Sequence, residues 1–241
     1  MAIYTGVADA NGDFTVPFSS SYTSGQKITV TAEKGSAAKS IELFAPSETS
    51  GSADGAIKFS GDFTDFPNNI GIVTITDEIN VLPSEAFNAE KSFFSRASGL
   101  VIQSKATIVA NGCFRNWVSA TSVKMSDTIV VIQSLAFYNL ASCIEIHLSN
   151  QLESIDAEGI TELKVPTIPL PASLLSIGAY GLHGLTECNQ IICLAVNPPA
   201  IQSTSFNRLK STCLFKVPAA SVAAYQAAPN WSAFASRIQA I

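Results

Sequence analysis

The chain has 241 residues, of which 47% are hydrophobic and only 14% charged; an ordinary domain carries roughly 25% charged residues, so a large buried fraction is expected and disorder is excluded. The formal net charge is −5 with no Lys/Arg cluster, which argues against a nucleic-acid partner, because such binding needs a concentrated positive patch. The longest strictly apolar run, IICLAV at 191–196, falls short of the roughly 20 residues of a spanning helix, and the start, MAIYTGVADANGD, lacks the basic and apolar regions of a secretory signal; a soluble chain that does not direct its own export is expected.

The first 46 residues show no helical period. Asn11-Gly12 is a hairpin signal, and Phe14, Val16 and Phe18 alternate, as do Ile28, Val30 and Ala32, and then Ile41 and Leu43. Three or four antiparallel strands ending near Pro46 are expected. So small a sheet is marginal alone. Its uncovered face is expected to pack on another chain or a second copy of itself, the alternative being that it folds back on the rest of the protein. Residues 47–56, SETSGSADGA, are small and polar and read as a linker. Residues 57–70, with Phe59, Phe63 and Phe66, are expected to cap the first coil of the chain's longer, C-terminal part.

A repeat then begins. Take Phe87, Phe114, Phe137, Ile160, Leu182 and Phe206 as anchors; they are spaced by 27, 23, 23, 22 and 24 residues. Five residues before them stand Leu82, Val109, Ile132, Ile155, Ile177 and Ile201. Twelve before stand Ile75, Ile102, Met125, Leu148, Leu170 and Leu194, and fourteen before stand Val73, Leu100, Val123, Ile146, Ile168 and Ile192. All are apolar. The residue just before each anchor is small: Ala86, Cys113, Ala136, Gly159, Gly181 and Ser205. Three after, Trp117, Leu140, Leu163, Leu185 and Leu209 are apolar and Glu90 is the exception. A period of this length marks a solenoid. Residues fourteen and twelve before the anchor share one face of a strand, and the others come from the return arm of each coil. No coil can bury its apolar edge alone, whereas stacked coils share one core. The small residue lets adjacent backbones approach. Pro169 and Pro171 fall in a strand and remove ladder donors, so that strand should be short or frayed. The long first interval contains EKSFFSRASG, whose Phe93 and Phe94 are placed to cover an edge.

The chain closes with a last strand at 213–217, a short helix containing Val222, Ala223 and Tyr225, and the bulk of Trp231, Phe234 and Ile238. A C-terminal cap over 213–241 is expected; the alternative is an aromatic ligand site. NWS at Asn230 fits a glycosylation sequon, a three-residue pattern that is common by chance.

Little in the chain points to chemistry. Cys113, Cys143, Cys188, Cys193 and Cys213 include no CxxC pair and read as small buried apolar residues; a Cys188–Cys193 bridge would need chance geometry. His147 and His183 have no helical metal partner. The adjacent acids Asp77 and Glu78 read as solvated. No catalytic constellation, metal site or cofactor is implied. If the chain binds a partner, the outward strand positions are the natural surface: Thr74, Thr76, Val101, Gln103, Lys124, Ser126, His147 and Ser149. They are mixed in character and suit a protein or glycan no better than water.

The units VIQSLAF (131–137), SIGAYGL (176–182) and AIQSTSF (200–206) resemble leucine-rich repeats of the BspA-like class over residues 70–241, and the tail VP..S...Y....W..F...I resembles the segment that comes after such repeats. GVADANGDFTV and GQKITVTA resemble the C-terminal half of bacterial immunoglobulin-like domains, with Met1 falling inside one. The resemblance implies a β-rich fold: a partial immunoglobulin-like module at 1–46, a linker at 47–56 and a leucine-rich repeat solenoid at 57–241. Both module types occur on phage tail, fibre and capsid-decoration proteins. The implied function is therefore a non-enzymatic structural or host-attachment protein of a bacteriophage virion, assembled in the host cytoplasm. Its partners would be other virion proteins and a host surface protein or glycan, with oligomers formed through the N-terminal module. The alternative is an adhesin on the bacterial cell surface. A glycan-processing enzyme is a third reading that no acid pair supports.

Overall fold

The computed structural model describes residues 14–15, 27–34, 37–44, 57–59, 70–91 and 93–241. Short strands dominate. The N-terminal approach holds β1 (Phe14–Thr15), β2 (Lys27–Lys34), β3 (Ala37–Phe44) and β4 (Ile57–Phe59). The solenoid holds β5 (Gly71–Ile75), β6 (Ala97–Ile102), β7 (Ile108–Val109), β8 (Ser122–Lys124), β9 (Val131–Ile132), β10 (Glu145–His147), β11 (Ser154–Ile155) and β12 (Ile160–Thr161). It continues through β13 (Thr167–Leu170), β14 (Ser176–Ile177), β15 (Leu182–His183), β16 (Gln190–Cys193), β17 (Ala200–Ile201) and β18 (Leu214–Val217). Helix α1 (Val222–Ala227), a 3₁₀ turn at Trp231–Arg237 and β19 (Ile238–Ala240) end the chain.

Each coil contributes a strand to a front sheet, and the coils of β6, β8, β10, β13 and β16 each add a two-residue strand to a second sheet. The front sheet runs β5-β6-β8-β10 and resumes as β13-β16-β18-β19, and the second runs β7-β9-β11-β14-β17. All these pairings are parallel. The apolar rows read from the sequence are the core: Val73, Leu100, Val123, Ile168 and their partners Ile75, Ile102 and Leu170 are at most 1% exposed. Phe87, Phe114 and Phe137 stack face to face, with centroids 5.2 and 5.3 Å apart and planes within 9° and 11°.

The return arm is more ordered than one strand per coil would suggest. Each anchor N–H donates to the carbonyl of the small residue in the next coil: Phe114 to Ala136 (2.8 Å), Phe137 to Gly159 (2.8 Å), Ile160 to Gly181 (3.0 Å) and Leu182 to Ser205 (3.0 Å). Two residues to either side, the backbone is left-handed. Glu85, Gly112, Leu135, Glu158 and Tyr180 lie before the anchors and Asn116, Asn139, Glu162, Gly184 and Arg208 after them, all with φ between 54° and 79°. For a residue with a side chain this costs about 1 kcal/mol. It also turns the N–H toward the next coil, where Glu158 reaches Ala179 (3.0 Å) and Glu162 reaches His183 (2.9 Å). A hydrogen bond of about 1 kcal/mol and the saving of an orphaned donor offset the strain. At Gly178 the backbones of adjacent coils come close: a Cβ there would lie 2.8 Å from Ala157 N and 2.9 Å from Asp156 C.

Two expectations need correction. In the fifth interval the inward residues are Ile191 and Cys193, at most 1% exposed, not Ile192 and Leu194; Leu194 is 44% exposed. Ile168 pairs with Ile191 and Leu170 with Cys193, so the extra residue of that interval comes after the strand. Phe94 is 3% exposed and stacks on Trp117 at 5.1 Å and 10°. Pro169 lies in β13 and Pro171 one residue past it, yet β13 keeps four paired positions with β16. The pairing that is missing lies on the other side, toward β10. At one register each coil donates backwards: Thr121 N–H to Ser98 (2.8 Å), Ile144 to Thr121 (2.9 Å), Asn189 to Pro166 (2.8 Å) and Leu214 to Asn189 (2.9 Å). Pro166 stands at that register with no N–H, and the front sheet stops between β10 and β13.

At the N-terminal end, β4 lies antiparallel on β5 and β1 antiparallel on β4, so one strand of the opening stretch joins the front sheet. β2 and β3 pair antiparallel over eight positions as a separate two-stranded sheet. Asn11-Gly12, residues 47–56, Phe63 and Phe66 and the side chain of Phe93 lie outside the described residues. At the other end, Tyr225, Trp231, Phe215 and Phe206 pack edge to face at 5.0–5.4 Å, with Phe206 also tilted on Trp231 at 5.7 Å. Trp231 Nε1 donates to Pro199 O (2.7 Å) and Asn230 Nδ2 to Ile201 O (2.6 Å), so side chains satisfy carbonyls at the end of the second sheet. Arg237 Nη1 donates to Lys210 O and Ser211 O at 3.2 and 3.1 Å, and its guanidinium lies 5.0 Å over Phe234. The aromatic residues of the tail pack onto the C-terminal end of the core.

Candidate interaction surface

The front sheet aligns outward side chains into a row, because Thr74 pairs with Val101, Val101 with Lys124 and Lys124 with His147. Lys124, His147 and nearby Gln103 are exposed, and Thr74 and Val101 half-buried. His147 Nε2 lies 2.8 Å from Glu145 Oε1, both side chains being mostly in water. In the parallel row, Gly99 has no room for a side chain: a Cβ would come within 2.8 Å of Ser122 Oγ. The row thus dips between Ile72, 42% exposed, and Ser122.

Three sequence-derived candidates leave this surface. Thr76 and Ser149 are 3% and 0% exposed, since both come just after the strand where the chain turns inward. Thr76 Oγ1 bonds the Glu78 carboxylate, and Ser149 Oγ accepts from Gln151 N (3.1 Å). Ser126 is half-buried, its hydroxyl given to Ser104 O of the previous coil at 2.8 Å. Ser173 does the same work one column on, donating to Asn150 O and Leu152 O at 2.9 and 2.8 Å. These hydroxyls tie turn to turn; alternation alone could not show that the strand had already ended.

A second polar row, on the return side, escaped the sequence reading. Asn116 Nδ2 donates to Glu90 Oε1 (2.6 Å) and Asn139 Nδ2 to Asn116 Oδ1 (2.9 Å). Further on, Glu162 Oε1 lies 3.1 Å from Arg208 Nη1 and 3.5 Å from His183 Nε2. Gly184 separates Glu162 from Arg208, and a Cβ on it would sit 2.7 Å from the Glu162 carboxylate. The ion pair therefore spans two coil steps over a residue without a side chain. Asn116, Asn139 and Gly184 were its signal, because Asn and Gly are the residues that most readily take left-handed φ.

Asp77 pairs with Lys105 at 3.5 Å, both exposed. Among the described residues no group of three or more His, Cys, Asp or Glu could hold a metal ion, and no helix is long and apolar enough to cross a membrane. The Asn230 amide of the sequon is bonded to Ile201 O.

Stacked coils with a solvent-facing parallel sheet, an apolar core and a capped end define a leucine-rich repeat solenoid. The chain belongs to the BspA type leucine-rich repeat family: the model of the BspA type leucine rich repeat region matches residues 62–181 and 106–223, in six copies. Among solved structures, a leucine-rich repeat protein from Bacteroides ovatus is similar, with 19% identity and a TM-score of 0.48, over 61% of this chain and 37% of that one. The chain thus spans little more than a third of that protein. No curated protein matches it.

Proposed function

We propose that the protein is a non-enzymatic interaction protein that uses the front sheet, at Thr74, Gln103, Lys124 and His147, to contact a protein or glycan surface. The observation that carries this reading is the in-register row Thr74–Val101–Lys124–His147 on a rigid parallel sheet, since strands present side chains at fixed spacing and a solenoid repeats them. The finer setting, a bacteriophage virion with an immunoglobulin-like N-terminal module that joins the chain to its neighbours, rests on sequence resemblance. An adhesin-like role at a bacterial surface is the second reading, favoured by the family match.

The test is adsorption of the purified protein to bacterial cells and to a glycan array, with Lys124→Glu and His147→Glu beside the original. Both positions are exposed, so folding should be untouched, and loss of adsorption in both variants is expected. Adsorption equal in all three would remove the front sheet as the contact surface. Absence of the protein from purified phage particles would remove the virion setting and leave the adhesin.

A further inference from the structure

All five cysteines are free and buried, but two of them have company. Cys143, Cys188 and Cys213 hold one place in their coils, each N–H donating to the carbonyl three residues back: Leu140 (2.9 Å), Leu185 (3.4 Å) and Lys210 (3.0 Å). Buried Val165 takes that place in the coil between Cys143 and Cys188. Cys188 and Cys213 instead occupy consecutive coils. Their strands pair directly, Gln190 opposite Leu214, and Leu214 N–H donates to Asn189 O at 2.9 Å. The residues joined by that bond are the immediate neighbours of the two cysteines. Cys188 Sγ donates to Gln190 O at 3.2 Å and Cys213 Sγ to Leu214 O at 3.7 Å, so the two thiols bond to the same pair of facing residues.

We propose that Cys188 and Cys213 form an inter-coil disulfide when the chain folds in the presence of a low-molecular-weight disulfide. The Cys188 thiolate attacks one sulfur of the small disulfide, the S–S bond breaks, and one small thiolate leaves. The Cys213 thiolate then attacks Cys188 sulfur in the mixed disulfide and displaces the second small thiolate. Two protein thiols are oxidised and the small disulfide is reduced to two thiols, which take up the two protons. The roles of Cys188 and Cys213 in these steps are interchangeable, because the thiolate of either can attack once the last coils are open. Both side chains are fully buried under the C-terminal cap; oxidation therefore belongs to folding or to opening of the last coils. Once made, the bond ties the coil of β16 to the β18 coil that carries the cap.

The experiment is refolding of the full chain in oxidised and reduced glutathione, acid quenching, denaturation, alkylation, and mass analysis of the intact chain and its peptides. Expected are two alkylations fewer than in a fully reduced control, a peptide pair joined through Cys188 and Cys213, and a higher melting temperature that reductant abolishes. Cys193→Ala should keep the link, and Cys188→Ser should leave all four remaining thiols open to alkylation. Five alkylations in the oxidised protein, or a link that uses Cys193, Cys143 or Cys113, would overturn the assignment.

Discussion

The front sheet and the return side belong to the same coils and treat backbone hydrogen bonding differently. On the front, the ladder breaks between β10 and β13, where Pro166 has no N–H for the coil before it. On the return side the forward donations cross the same boundary intact, from Glu158 to Ala179, Ile160 to Gly181 and Glu162 to His183. The core does not register the break: Ile168 and Leu170 are both 0% exposed. Burial of the apolar rows holds the stack, and a ladder on one side can fail locally while the other keeps the coils in register. The front sheet is the side with freedom to vary, and it is the side proposed to meet a partner.

Two substitutions attack what both sides share. Phe137 is fully buried, stacked on Phe114 and bridged to Ile160. Phe137→Asp removes an aromatic of about 4 kcal/mol and buries a carboxylate without a partner. We expect loss of cooperative folding through the repeats, seen as collapse of the thermal transition; an unmoved transition would mean the register is wrong. Gly178→Val is smaller. It forces a Cβ against Ala157 N and Asp156 C, which are backbone atoms and cannot swing aside, and overpacking of this kind costs about 2 kcal/mol. Urea unfolding should show that loss, and no change in midpoint would mean that the coils have slack there.

The sequence made the core legible because burial repeats: the rows at five, twelve and fourteen before the anchor needed nothing but periodicity. It misplaced one strand, at Ile192 and Leu194, because an interval of 24 residues does not say where its extra residue sits. Thr76, Ser126 and Ser149 were misjudged for a related reason. Alternation gives the face of a strand and not its end, and these hydroxyls lie where the backbone is already turning. The left-handed rows were hidden by their composition, since Glu85, Leu135, Glu158 and Tyr180 are not residues that favour positive φ. Cross-coil hydrogen bonds that exist only in the assembled stack impose that conformation. The Cys188–Cys213 neighbourhood was invisible for the same reason as Ile192: it appears only when the last coil is phased on β18.

The break itself can be tested by mending it. Pro166→Thr restores a donor facing Ile144 O. The gain of about 1 kcal/mol from a hydrogen bond is offset by the 0.4–1 kcal/mol or so that proline contributed by stiffening the unfolded chain. Global stability should therefore hardly change, while hydrogen exchange in residues 144–170 slows. Exchange as fast as before would show that more than one missing donor separates β10 from β13.

The smallest effect is expected from Cys143, at the same boundary. Its carbonyl accepts the last donation before Pro166, from Lys164 N at 2.8 Å, and its thiol donates to Glu145 O at 3.2 Å. Burial, with the Glu145 carboxylate adding to it, pushes the thiol from about 9 up to about 11. The unfolded chain therefore gives up this proton first. Between about pH 9 and pH 11 the thiol pulls the equilibrium toward the unfolded state, and below pH 9 it contributes nothing to the slope. Buried Cys113, Cys193 and Tyr225 shift the same way, so the whole protein should weaken in alkali. Cys143→Ala should weaken less steeply than the original across that window and run parallel to it at neutral pH. Equal slopes would mean that water reaches this thiol through the broken ladder, and that the gap between β10 and β13 is open down to the core.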